Sequence, residues 1–320
     1  MDQTKLSLVI DGVQIPGILA KPQHPVASLL LIPGSLNSDV DGNYAPMFPG
    51  QPGANPHAYR DLALQLAAQG IAVLRFAKTG PGTGSIVVDQ QSAGKFKVFS
   101  QRVRVAEVFL AELRRQVPAV PSIIAGHSEG AVVATLLTQA HKEIRGIVML
   151  SGPSQPLLHM MAKGQFESDR RAGRVTPDVA RNYAAAVRLL DDFAASRPLP
   201  EDYAGNPFAA MLSFAVKPEN APYLRSLEAI DPAVEFAKIP QPALIVQGER
   251  DASVPRECAE ELHRMKPDAT VQLFPELQHF YKRVPDGLSP EVSFAQDSES
   301  EPSVAGTIAS WIRALLDGKK

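Results

Sequence analysis

The stretch IIAGHSEGAVVATLL, Ile123–Leu137, decides how this chain is read. Apolar residues lead into Gly126-His127-Ser128-Glu129-Gly130 and a run of helical character follows, so a serine stands on the corner between a buried strand and a helix. A serine that attacks a substrate must hold its Oγ out on such a corner. The turn closes only where the flanking positions lack clashing side chains, a need that Gly126 and Gly130 meet. The helix beginning after Ser128 adds the positive end of its dipole, which favours negative charge on an attacked carbonyl oxygen. Taken alone, the pentad also fits a tight turn or a phosphate-cradling loop, so its surroundings must choose.

Working outward, VASLLLIPG (26–34) is a continuous apolar run that predicts a strand buried on both faces. Before it, alternating apolar residues on either side of Asp11-Gly12 predict a hairpin between Lys5 and Ala20. Helical periods over 57–69 and 101–117 alternate with apolar runs at IAVLRF, SIIAG, GIVMLSGP, ALIVQ and TVQLF, and TIASWIRALLDG predicts a closing helix. Repeated strand–helix–strand units predict an α/β fold with a mostly parallel sheet covered by helices on both faces. Residues 37–56, rich in Gly, Pro, Asn and Asp, predict a long loop beside the site. Residues 154–237 break the rhythm, with helical stretches separated by Pro198, Pro200, Pro207, Pro218 and Pro222. They are expected to form a helical cap inserted between core segments 1–153 and 238–320, over the sheet edge where α/β proteins bind ligands.

Composition narrows the function. The 320 residues carry a formal net charge of −2 and 21% charged residues, so the basic footprint of a nucleic-acid binder is missing. One cysteine, Cys258, excludes an intramolecular disulfide and a Cys-rich metal site. No run of eighteen apolar residues and no signal-peptide pattern occurs, which predicts a soluble cytoplasmic protein without a membrane partner. Oligomeric state is not legible.

A nucleophilic serine needs a base, and the base an orienting carboxylate, expected in the chain order nucleophile, acid, histidine. Asp251 follows the strand ALIVQ in a loop that Val254-Pro255 closes, and His279 follows TVQLF in the matching loop. Both therefore emerge on the edge that carries Ser128. Glu249 competes for the acid role, and Asp231 does so more weakly because no strand end precedes it. Of the seven histidines, His24, His57 and His141 suggest surface positions, His263 faces out of a helix, His159 lies in the insertion, and His127 occupies the variable place beside the nucleophile. The oxyanion donors are expected to be the Glu129 N–H and, from the turn Pro33-Gly34-Ser35-Leu36, the Ser35 N–H. The Glu129 carboxylate is expected to be solvated or paired near the site mouth, since a free anion there would oppose the developing charge.

These residues together resemble the α/β-hydrolase superfamily, and within it bacterial serine carboxylesterases whose elbow reads GHSEG. The likeness spans nearly the whole chain through LIPGS, GHSEG, GERDASVP and LQHF. LRFAKTGPGTGS (74–85) is similar to a stretch that commonly reads Arg-x-Asp-x-Arg-Gly-x-Gly-x-Ser, except that Ala77 and Thr79 replace the Asp and Arg, which puts the bracing ion pair of that loop in doubt. The resemblance implies two-step acyl transfer on a small-molecule ester, with no metal and no organic cofactor, and a serine at the elbow disfavours dehalogenation or epoxide opening. Met160, Met161, Phe166, Met211 and Phe214 of the cap are expected to supply part of an apolar acyl pocket, beside the plainer use of packing the cap helices. A thioesterase, acyltransferase or peptidase would need the same triad, and a non-catalytic binding protein would keep the fold without it. Nucleotide binding through KTGPGTGS is disfavoured, because Lys78 precedes the glycines instead of following them into a helix.

Overall fold

A computed structural model describes residues 2–45, 53–285, 287 and 297–318, so residues 46–52 of the loop expected over 37–56 lie outside the described residues. The sequence-predicted hairpin is present: β1 (Asp2–Ile10) and β2 (Val13–Lys21) pair antiparallel about Asp11-Gly12, whose φ values are 42° and 77°. β3 (Ala27–Ile32), α1 (Ala58–Ala68), β4 (Ile71–Phe76) and the short β5 (Ile86–Val87) follow. Then come α2 (Gln90–Ala93), α3 (Ser100–Gln116), β6 (Ser122–His127), α4 (Glu129–Ala140) and β7 (Gly146–Leu150). Between β7 and β8 the described chain is helical: α5 (Leu157–Arg171), α6 (Pro177–Ala194), α7 (Leu212–Ala215), α8 (Ala221–Glu228) and α9 (Pro232–Ala237). β8 (Ala243–Gly248), α10 (Arg256–Met265), β9 (Thr270–Phe274) and α11 (Pro302–Leu316) complete the order.

The sheet runs β1-β2-β4-β3-β6-β7-β8-β9, with β5 paired to β2 off this path. Strands from β4 to β9 along that order pair parallel, and the N-terminal hairpin joins antiparallel. Even within continuous apolar strands the pleat divides the side chains. Leu30 and Ile32 enter the layer beneath α3, α4 and α10, whereas Leu29 and Leu31 enter the layer beneath α1 and α11. Each such leucine withdrawn from water is worth about 1.5–3 kcal/mol, so a one-residue slip of a central strand would exchange two filled cores at once. A third apolar cluster, from Leu158 to Leu224, belongs to the helical segment itself, while Leu227, Ala233 and Phe236 join the main core.

Ala77 and Thr79 cannot form an ion pair in the loop after β4, and the charged pair found nearby is made from the strand before it. Arg75, buried at its strand position, donates to Asp41 Oδ1 from Nη2 (2.8 Å) and Nε (3.1 Å). An acid from the loop after β3 thus anchors the end of β4. Among the described residues, no helix is long and apolar enough to cross a membrane.

Candidate active site

Ser128 sits between β6 and α4 with φ 54° and ψ −124°, a conformation costing about 1–3 kcal/mol for a side-chain-bearing residue. The surroundings hold it there. Its N–H donates to the Leu150 carbonyl oxygen (2.8 Å) and its own carbonyl accepts from Ala131 N–H (2.9 Å), so the neighbouring strand and the first turn of α4 fix the corner. A Cβ on Gly126 would run into the Gly130 carbonyl, and one on Gly130 would lie 2.5 Å from the Ile32 carbonyl oxygen. Both glycines are therefore demanded by close backbone approach.

Asp251 and His279 come from the loops after β8 and β9. Asp251 Oδ2 meets His279 Nδ1 at 2.7 Å, while Oδ1 accepts the N–H groups of Ser253 (2.8 Å) and Val254 (2.9 Å). Burial pushes the Asp251 carboxyl up, but the His279 charge and hydrogen bond and the two backbone donors outweigh it and hold it below the usual range. The rival carboxylates are spent elsewhere: Glu249 pairs with Arg256 at 2.5 Å, and Asp231 caps α9 by accepting from Ala233 and Val234 N–H, each at 3.1 Å. Ser128, Asp251 and His279 line one cavity of about 630 Å³ with Ser35, Met160 and Met161.

His127 is not a bystander. Its ring is buried, and burial followed by the nearby His279 charge pulls it down to about 3, so it is neutral. The His279 carbonyl oxygen at 3.0 Å can only accept, which places the proton on His127 Nε2 and leaves Nδ1 to accept from the Tyr59 hydroxyl at 3.1 Å. That hydroxyl in turn accepts the Gly34 N–H at 2.8 Å. One tyrosine thus ties the turn after β3 to the elbow and, through His127, to the histidine loop.

The Glu129 carboxylate is paired but not solvated. It is buried against the guanidinium of Arg102 and the ammonium of Lys78 (3.3 Å), accepts the Tyr223 hydroxyl (2.9 Å), and meets the Ser35 Oγ at 3.4 Å. Burial pushes it up, yet Lys78 and Arg102 bring it down to about 2. Arg102 also donates to the carbonyl oxygens of Pro33 (2.6 Å) and Gly34 (3.2 Å). Because the peptide is trans, a Gly34 carbonyl drawn toward Arg102 turns the Ser35 N–H to the opposite side.

The expected pocket residues divide. Met160 and Met161 line the Ser128 cavity. Phe166 does not: it stacks on Tyr183 with centroids 4.3 Å apart inside the helical segment, whose core it fills. Met211 and Phe214 are also corrected, since neither lines the Ser128 cavity: they stand 39% and 46% exposed, Met211 just before and Phe214 on a short helix whose inward face is taken by Leu212 and Ala215. Arg102, Tyr59 and Tyr223 escaped sequence reasoning. Their partners are separated by 25 to 94 residues, and no local spacing signals them.

The fold and this elbow define an α/β-hydrolase superfamily serine hydrolase resembling bacterial esterases. Residues 52–281 match the family described as serine aminopeptidase, S33, and the chain belongs to that family. No protein with a curated description matches it by sequence. Among solved structures it is similar to the esterase domain of a Rhodothermus marinus protein (16% identity, 98% of each chain, TM-score 0.54). It is similar as well to a proline iminopeptidase of Mycobacterium smegmatis (13% identity, 99% and 100% of the two chains, TM-score 0.57). A thermostable carboxyl esterase of Bacillus coagulans gives 14% identity over 98% and 99%, with TM-score 0.54.

Proposed function

We propose that the protein is a carboxylesterase that cleaves small to medium acyl esters through an acyl-enzyme. The observation that carries this reading is the 2.7 Å contact between Asp251 and His279 in the cavity that Ser128 lines. In this reading Asp251 fixes the Nδ1–H tautomer, so His279 Nε2 takes the Ser128 proton as Oγ attacks the ester carbonyl. The oxyanion is received by the N–H groups of Ser35 and Glu129, the first turned from the Arg102 side by its peptide and the second at the start of α4. His279 then protonates the leaving alcohol and activates the water that releases the acid. Residues 154–237 act as the cap, with α5 bringing Met160 and Met161 over the nucleophile and α9 seating the segment on the core. The substrate is a small molecule, and the lone, buried Cys258 suits a cytoplasmic setting.

The family description and the iminopeptidase similarity favour a second reading, cleavage of an N-terminal residue from a peptide. Such a substrate brings an ammonium that needs a carboxylate near the nucleophile. Among the described residues lining the cavities at Ser128 the carboxylates are Asp251, engaged by His279, and Glu129, held by Arg102 and Lys78, and the free charge is the cation Arg171, so the ester reading is preferred. The experiment is pre-steady-state hydrolysis of p-nitrophenyl acetate and butyrate by the wild type and Ser128→Ala. A burst and turnover that vanish in the variant support the esterase. A folded wild type that neither turns over these esters nor reacts with a fluorophosphonate sinks it and leaves a binding protein on this fold.

A further inference from the structure

Beside the nucleophile, Lys78 and Arg102 set two cations against the single carboxylate of Glu129, with side-chain exposures of 11%, 12% and 7%. Glu129 Oε1 serves three donors, and Lys78 at 3.3 Å makes a longer contact than Tyr223 at 2.9 Å. Arg102 spends its remaining reach on the Pro33 and Gly34 carbonyls. The ammonium has three donors, and among the described residues Glu129 is the one side chain recorded against it. Burial, and then Arg102, pull Lys78 down to about 8 despite Glu129, as befits a cation short of negative charge.

A second cavity of about 350 Å³, which also exposes Asn37 and Thr79, opens on Lys78 and Arg102. Its other charged lining residues are Lys97 and Glu219, both at the surface, so with Glu129 behind the wall the cations outnumber the carboxylates. We propose that this cavity is an anion subsite, in which Lys78, flanked by Asn37 and Thr79, receives a carboxylate or phosphate group of a small molecule. The group belongs to a separate ligand or is an acid carried by the ester substrate; the latter arm rests on the esterase reading and the former does not. An uncompensated buried cation is costly, and an anion placed here would offset that cost.

Two measurements on the full chain test this. In equilibrium dialysis with radiolabelled inorganic phosphate, the wild type should bind a single phosphate, and Lys78→Met should weaken it at least about tenfold, the loss of one charge-assisted hydrogen bond. In hydrolysis, the ratio of kcat/KM for 4-nitrophenyl hydrogen glutarate to that for the neutral valerate of equal length should fall about tenfold in the same variant. Phosphate binding without the ester preference assigns the subsite to a separate ligand, and the ester preference without phosphate binding assigns it to the substrate. A wild type that binds no phosphate and does not favour the anionic ester overturns the proposal, as does Lys78→Met matching the wild type in both. The wild-type data and Lys78→Arg, which keeps the cation, decide the matter if the Met variant does not fold. Failure to cleave either ester overturns the esterase reading and leaves the dialysis readable.

Discussion

The two flanks of Ser128 each hold a buried carboxylate drawn below its ordinary range, and they differ in the partner that the carboxylate meets. On one flank Asp251 faces the His279 imidazole. On the other, Glu129 faces Arg102 and Lys78 and pins the turn that follows β3. Burial and depressed pKa are common to both, so neither quantity separates the acid of the proposed mechanism from a supporting carboxylate. The partner does. An imidazole can pass a proton on, whereas a guanidinium only holds charge in place.

Four changes break or sharpen that contrast. The largest effect is expected from Asp251→Asn, which presents the wrong hydrogen-bond partner to His279 and should lower kcat on p-nitrophenyl butyrate about 10⁴-fold; a loss within tenfold would move the acid role elsewhere. Glu129→Gln instead strands two buried cations and should cost about 3–5 kcal/mol in urea unfolding, with activity lost through the fold. The sign in pH follows from the folded value near 2 against 4.5: the Glu129 contribution is full above about pH 4.5 and disappears as pH falls toward 2. The acid limb of wild-type stability should accordingly be steeper than that of the Gln variant. Tyr59→Phe leaves the Gly34 N–H and His127 Nδ1 without their shared partner, and about 1–3 kcal/mol of stability should go with it.

The smallest effect lies in the helical segment between β7 and β8. His159 bridges Glu228 and Asp191, each at 3.1 Å; burial lowers its pKa, but the two carboxylates raise it above 6.5 overall. Its stabilisation is therefore present in full below pH 6.5 and is lost as pH rises through the raised folded value. With Asp191 exposed, the change is less than about 1 kcal/mol. Melting temperatures of the wild type and His159→Gln should converge at alkaline pH, and parallel curves throughout would show that this bridge adds nothing.

What the sequence disclosed follows the same division. The hairpin, the alternating strands and helices, the elbow and the loops of Asp251 and His279 are written in local patterns: apolar runs, paired turn residues, a glycine on either side of a serine. The Glu129 flank is not. Arg102 stands on α3, Tyr223 on α8 and Tyr59 on α1, and only the sheet order brings them to the elbow. An arginine in a helical period reads as a solvated charge until the fold closes around it. The cap residues mislead for a related reason, since Phe166, Met211 and Phe214 are apolar in sequence whether they face a substrate, another ring or water. Arg75 on β4 meets Asp41 from the loop after β3, a pairing that no spacing rule anticipates.

The neighbouring imidazoles carry one further consequence. His127 and His279 lie with ring centroids 4.5 Å apart, and His127 stays uncharged down to about pH 3. Two rings this close disfavour a charge on both, and burial already refuses it to His127. On the proposed mechanism, a proton lifted from the serine would therefore not drift across to the adjacent ring and would stay on His279 until the alcohol departs. In a titration followed by imidazole resonances, His127 should stay silent down to about pH 3.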